Sequence, residues 1–168
     1  MNRPALITLV ALALTGCGQA QEAKAPSAAP ARPAPTPAET VAPAEKAALL
    51  AALPPPYNQA DLDNGRRAFA RCRSCHTLTE GGPNMTGPNL YGVFGRQAGT
   101  RPGFNYSPVL KGAGFAWDAG RLDQWLENPR TFLKGTKMSF AGIPDATDRR
   151  DIIAFLKVET GYTPPGQP

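Results

Sequence analysis

Apolar residues recur at helical spacing in three separate stretches of the chain. In the first, Leu62, Ala68, Phe69 and Cys72 fall on one face, with Asp61 placed to cap the helix start. Gly65 lies inside this segment and costs about 1 kcal/mol against Ala, so either it permits close packing or it marks a frayed start. The second stretch runs from about Ala119 to Asn128, capped by Asp118, with Leu122, Trp125 and Leu126 as its buried face and Pro129 as its stop. The third covers about Asp148 to Glu159: Thr147 is the expected cap, Asp148 and Asp151 suit the positive end of the dipole, and Gly161 closes it. Ile152, Ile153, Phe155 and Leu156 give that helix its apolar side. Between the first two stretches, Thr77 to Gly103 has no helical period, because glycines and prolines recur too often. No segment alternates like a strand. The pattern predicts a small all-α domain of three or more helices with long loops. A loop of that length in a small domain has either a functional role or a large body to wrap around.

The N-terminal third follows different rules. Arg3 precedes an uncharged stretch from Pro4 to Thr15, too short to span a bilayer and suited to a signal peptide. It ends Leu14-Thr15-Gly16-Cys17, which resembles a bacterial lipobox; the alternative is an ordinary signal peptide with an incidental Cys. Residues 1–16 are therefore expected to be a lipoprotein signal peptide. Residues 17–56 are expected to be lipidated Cys17 followed by a flexible Ala/Pro-rich tether, and residues 57–168 the folded domain. Of the 39 residues from Gly18 to Pro56, 14 are Ala and 9 are Pro, a composition unable to offset its own ordering entropy. Within it only Ala44 to Leu53 has the makings of a short helix, stopped by Pro54 to Pro56. Such a tether would reach roughly 35 Å as a coil and about 120 Å as extended polyproline helix.

Charge changes the picture little. From Tyr57 onward 14 Lys and Arg face 10 Asp and Glu, scattered without a basic run, which argues against a nucleic-acid partner.

The chemistry is concentrated in Cys72-Arg73-Ser74-Cys75-His76. Two thiols with two residues between them can each form a thioether to one vinyl group of a haem, and the next residue can then offer an imidazole to the iron. A zinc site would need four ligands, and the chain has three Cys and one His, with Cys17 far away. A thioredoxin-like dithiol would need alternating strands and helices, and Gly81 to Gly103 is loop. His76 is the only histidine, so a second imidazole ligand is excluded. The sixth position is left to a Met, a Lys or an open site. Met138, in a glycine-rich loop between two helices, is favoured; Met85 reads as filler or an exposed loop position. A thin core of just over 100 residues would rely on the cofactor for much of its buried surface, so the protein should be poorly folded without it.

Together with that motif, Thr86-Gly-Pro-Asn-Leu-Tyr-Gly-Val-Phe-Gly-Arg96, Gly103-Phe-Asn-Tyr106, Trp117, Leu126-Glu-Asn-Pro129 and Gly135-Thr-Lys-Met-Ser-Phe-Ala-Gly-Ile143 resemble class I cytochrome c of the electron-carrier type. The resemblance covers about Asp61 to Lys157. It implies a class I cytochrome c fold wrapped around one covalent haem c, with iron held by His76 and Met138. It further implies that Cys72 and Cys75 attach the haem and that Pro88 offers its carbonyl to His76. Arg96, Tyr106 and Trp117 would meet a buried propionate, Thr136 would belong to the network near Met138, and Phe140 would lie beside the haem edge. Trp125 and Leu110 depart from the family's common Tyr and Asn, and the usual lysine-rich docking face is thinned.

The implied function is single-electron transport, not catalysis: a lipid-anchored monomer on the periplasmic side of a bacterial membrane, inner or outer. The implied partners are a quinol-oxidising bc-type complex and a haem-copper oxidase, with the membrane engaged through lipid on Cys17. The alternatives are an electron-accepting subunit of a periplasmic dehydrogenase, or a peroxidase or gas sensor with a labile sixth site.

Overall fold

The computed structural model describes residues 42–164, all within one compact unit. Local signals set most helix starts. Helix α1 spans Pro43–Ala51, and a single 3-10 turn covers Tyr57–Gln59. Helix α2 spans Leu62–Phe69, and the Asp61 side chain accepts from the amide of Asn64 at 2.9 Å, as its position before the apolar run implied. Helix α3 (Pro108–Lys111) follows Ser107. Helix α4 (Ala119–Glu127) is capped by Asp118, whose carboxylate accepts from the amide of Arg121 at 2.7 Å. Pro129 ends α4 and also opens the short α5 (Pro129–Phe132), because the Asn128 side chain accepts from the amides of Arg130 and Thr131.

The longest helix, α6, spans Ala146–Glu159, and here the sequence reading needs a correction. Its cap is Asp145, which accepts from the amide of Asp148 at 2.9 Å; Thr147 already lies in the first turn. Asp145 stands three residues before a free amide, the reach that a short carboxylate side chain satisfies best.

The core forms where α2 and α4 cross α6. Phe69 packs on Phe155 with ring centroids 5.6 Å apart, and Ile143, Ile152 and Ile153 are sealed from solvent. Gly65 is there for close approach: a Cβ on it would stand 2.7 Å from the carbonyl carbon of Asp151 and 2.8 Å from Cβ of Phe155. Nearby, Asp151 is buried and accepts from the amide of Asp61 and the side-chain amide of Asn64 while pairing with Arg150. Arg149, also buried, pairs with Asp123 and donates to the carbonyls of Ile143 and Pro144. It thereby ties the loop before α6 to α4.

From residue 77 to 103 the chain is loop, as expected. It is pinned by amide bonds from Gly95 to the Trp117 carbonyl and from Ala98 to the Phe115 carbonyl, both 2.8 Å. The Gln97–Ala116 bridge is the one β-type pairing among the described residues.

Before the expected domain start at residue 57, the chain is already packed. Leu53 is 4% exposed and buried with Ala60 and Ala154, and Lys46 pairs with Glu159. The ammonium of Lys157 sits over the rings of Tyr162, Phe94 and Tyr57, at 3.3, 4.5 and 5.8 Å from their centroids. Contacts with the body thus reach back to Lys46 in α1, a helix with no buried residue of its own. Residues 1–41, including the signal-peptide stretch, Cys17 and most of the expected tether, lie outside the described residues.

Candidate functional site

Helix α2 runs straight into the cysteine motif. The amide of Cys72 bonds to the carbonyl of Phe69 at 2.8 Å, and the amides of Cys75 and His76 both bond to that of Cys72 at 3.0 Å. The motif is therefore one continuous turn, which brings two thiols and an imidazole onto the same wall. Neither cysteine is in a disulfide, and before haem is attached burial pushes the Cys72 thiol up to about 11.

That wall belongs to a cavity of about 260 Å³ enclosed by α2, α4, α6 and the loops. Phe69, Leu90, Val93, Phe104, Leu122 and Leu126 make it mainly apolar. His76 Nδ1 lies 2.7 Å from the carbonyl oxygen of Pro88. A carbonyl only accepts, so Nδ1 carries the proton and Nε2 keeps its lone pair. Burial lowers the His76 pKa, and the Pro88 bond partly opposes that shift, so the ring is neutral and free to coordinate. Gly87 leaves the ring its space: a Cβ there would stand 2.7 Å from His76 Nδ1.

Elsewhere on the lining, Met138 is half-buried, and its amide donates to Thr136 Oγ1 at 3.2 Å. Met85, by contrast, is 47% exposed and off the lining, so only one of the two candidate methionines meets the cavity. Arg96 donates to the carbonyls of Tyr91 at 3.0 Å and Asn89 at 3.2 Å. Burial lowers its pKa, yet a guanidinium remains charged, so a cation with neutral partners faces the cavity. Tyr106 and Trp117 are buried beside it, and Trp125 packs edge-on against Trp117 with centroids 5.4 Å apart.

Every site residue expected from the sequence within the described region meets this one cavity: Cys72, Cys75, His76, Pro88, Arg96, Tyr106, Trp117, Thr136 and Met138. Cys17 lies outside the described residues. Ser107 was not anticipated. It stands at the N-cap of α3 but makes no cap bond, and its hydroxyl is buried on the cavity wall with no partner. An apolar cavity with a cation that lacks a counter-charge and a hydroxyl that lacks a partner fits a large apolar group bearing an acid, since both would otherwise be costly. Haem, with its propionates, is such a group.

Residues 62–158 match the family described as Cytochrome c. The chain belongs to that family. The match is shared with a cytochrome c homolog of Bradyrhizobium diazoefficiens, 47% identical over 58% of this chain and 53% of the relative. Cytochrome c of Stellaria longipes is 43% identical over 62% of this chain and 97% of its own length, and cytochrome c2 of Rhodomicrobium vannielii 42% identical over 62% and 84%. Among solved structures, cytochrome cH from Methylobacterium extorquens superimposes with a TM-score of 0.55 at 43% identity, covering 58% of this chain and 98% of that one. The protein is therefore an electron carrier with covalently bound haem c, and Cys72 and Cys75 stand at the attachment positions.

Bound haem supplies an iron that accepts and returns one electron. The chain supplies the rest: a mainly apolar cavity, two thiols on one turn, a neutral imidazole held in one tautomer, and a cation and hydroxyls for the acid end.

Proposed function

We propose that the protein is a lipid-anchored periplasmic cytochrome c that carries single electrons from a quinol-oxidising bc-type complex to a haem-copper terminal oxidase. His76 Nε2 and the Met138 thioether would be the residues that hold the iron. Arg96, Tyr106, Trp117 and Ser107 receive the propionate end. Thr136 orders the Met138 loop through its bond to the Met138 amide. A diacylated Cys17 anchors the chain. The observation that carries this reading is that the chain's only histidine and a single methionine line the same apolar cavity. A soft, neutral sulfur ligand favours reduced iron and closes the sixth position to substrates, which suits transport over catalysis.

The test is an absorption spectrum of the oxidised holoprotein, wild type beside Met138→Ala. A weak charge-transfer band at the red end in wild type, lost in the variant along with a fall in potential, supports the ligand pair. A wild type that is already high-spin and avid for carbon monoxide overturns it. The anchor is tested separately, by mass spectrometry of the mature N-terminus from the membrane fraction. A free N-terminus anywhere other than an acylated Cys17 refutes it.

A further inference from the structure

The peptide joining Pro88 to Asn89 is used from both ends. Its carbonyl accepts the Nδ1–H of His76 at 2.7 Å, and its N–H donates to Oδ1 of Asn84 at 3.0 Å. The same Asn84 amide donates through Nδ2 to the carbonyl of Pro102 at 3.0 Å. These partners settle which way the Asn84 amide points, because an N–H needs the oxygen and a carbonyl needs the nitrogen. Asn89 holds the peptide in place: it is fully buried, donates to Thr77 Oγ1 at 2.8 Å and to the Thr79 carbonyl at 2.9 Å, and accepts from the Tyr91 amide at 3.1 Å.

We propose that Asn84 is a positioning residue that tunes the basicity of His76 through the Pro88–Asn89 peptide. The inference rests on His76 being the iron ligand. A peptide is one conjugated unit, so an acceptor drawing on its N–H pushes charge onto its carbonyl oxygen. Hydrogen bonds in such a chain strengthen one another, by about 10–30% per bond in condensed phase. A more negative Pro88 carbonyl pulls harder on the Nδ1 proton and makes Nε2 a stronger donor, as outer partners of metal-bound histidines do. A stronger donor stabilises oxidised iron and lowers the reduction potential. Because Nδ2 grips the segment carrying Pro102, which leads on to Tyr106 and Ser107, Asn84 also links the His76 loop to the one at the acid end of the cavity.

Two variants of the full-length holoprotein separate tuning from bracing. Asn84→Ala removes both bonds; Asn84→Asp keeps the acceptor for the Asn89 amide, strengthens it with charge, and loses the bond to Pro102. The expected result is opposite movement: a higher potential in Asn84→Ala and a lower one in Asn84→Asp, persisting at high salt where a through-solvent effect of the new charge is screened. In the reduced, diamagnetic protein, the His76 Nδ1–H resonance should move upfield in the first and downfield in the second. Movement in the same direction in both, or an unmoved Nδ1–H, overturns the proposal, since bracing alone makes both variants lose alike. If wild type lacks the large ring-current shifts of an iron-bound imidazole at His76, the ligand assignment itself fails and the relay with it.

Discussion

Replacing Gly65 by Ala sets two known quantities against each other. In an isolated helix the change would stabilise by about 1 kcal/mol. Here the added Cβ would stand 2.7 Å from the carbonyl carbon of Asp151 and 2.8 Å from Cβ of Phe155. Ordinary carbon contacts lie at about 3.5–4.0 Å, so α2 and α6 must separate by about 1 Å. Neither obstacle is the free end of a flexible side chain, so the strain falls on the helix pair itself. Overpacking of this kind costs about 1–3 kcal/mol, and a backbone obstacle belongs at the upper end. Net of the helix gain, Gly65→Ala should destabilise by about 2 kcal/mol, or about 10 °C in Tm for a domain of roughly 100 residues. Because α2 leads directly into Cys72, the shift also reaches the haem-attachment turn. Guanidinium unfolding of the holoprotein, followed by recovery of Trp117 and Trp125 fluorescence from haem quenching, measures the effect. An Ala variant as stable as wild type, or more so, would falsify the claim that close helix approach is what Gly65 provides.

Two further outcomes follow from the packing around α1 and α6. Leu53→Ala should cost about 2–3 kcal/mol, because Leu53 is 4% exposed against Ala60 and Ala154. Hydrogen exchange should show residues 43–60 losing protection while the Cys72–His76 turn keeps it; unchanged protection at residues 43–60 would mean that α1 docks by other contacts. Burial lowers the Lys157 pKa from 10.5 to about 8, opposed only in part by the charge of Asp118. The unfolded chain then binds more protons than the native one between about pH 8 and 10.5, so this group's contribution makes stability rise with pH across that window. Lys157→Met should remove the rise in denaturation midpoints measured against pH, and an identical slope in variant and wild type would locate it elsewhere.

What could be read from the sequence was what local chemistry decides. The caps Asp61 and Asp118 lie next to the amides they satisfy, the apolar faces follow the helix period, and the cysteine motif is a single turn. The all-α class, the long loop and the Cys72–Cys75–His76 turn were therefore legible in the sequence. The one misplaced cap was a local competition: Asp145 and Thr147 both carry a capping oxygen, and only backbone geometry chose between them. Asn128-Pro129 was legible as a stop and hid a start, because the same pair that ends α4 suits the opening of α5.

Tertiary structure alone decided what depends on distant partners. Helix α1 becomes part of the body because Lys46 meets Glu159, 113 residues away, and Leu53 meets Ala154. The short helix within Ala44 to Leu53 was legible, but composition placed it in a tether, since it cannot see the α6 surface that this segment meets. Ser107 reads as an ordinary cap before a proline, and its free hydroxyl acquires meaning only from the cavity beside it. Asn84 reads as loop, and its role appears only when folding brings Asn89 and Pro102 to its two amide ends. The distinction is physical: short-range hydrogen bonds and periodicity are written in neighbouring residues, whereas burial and long-range polar pairing exist only once the chain has closed on itself.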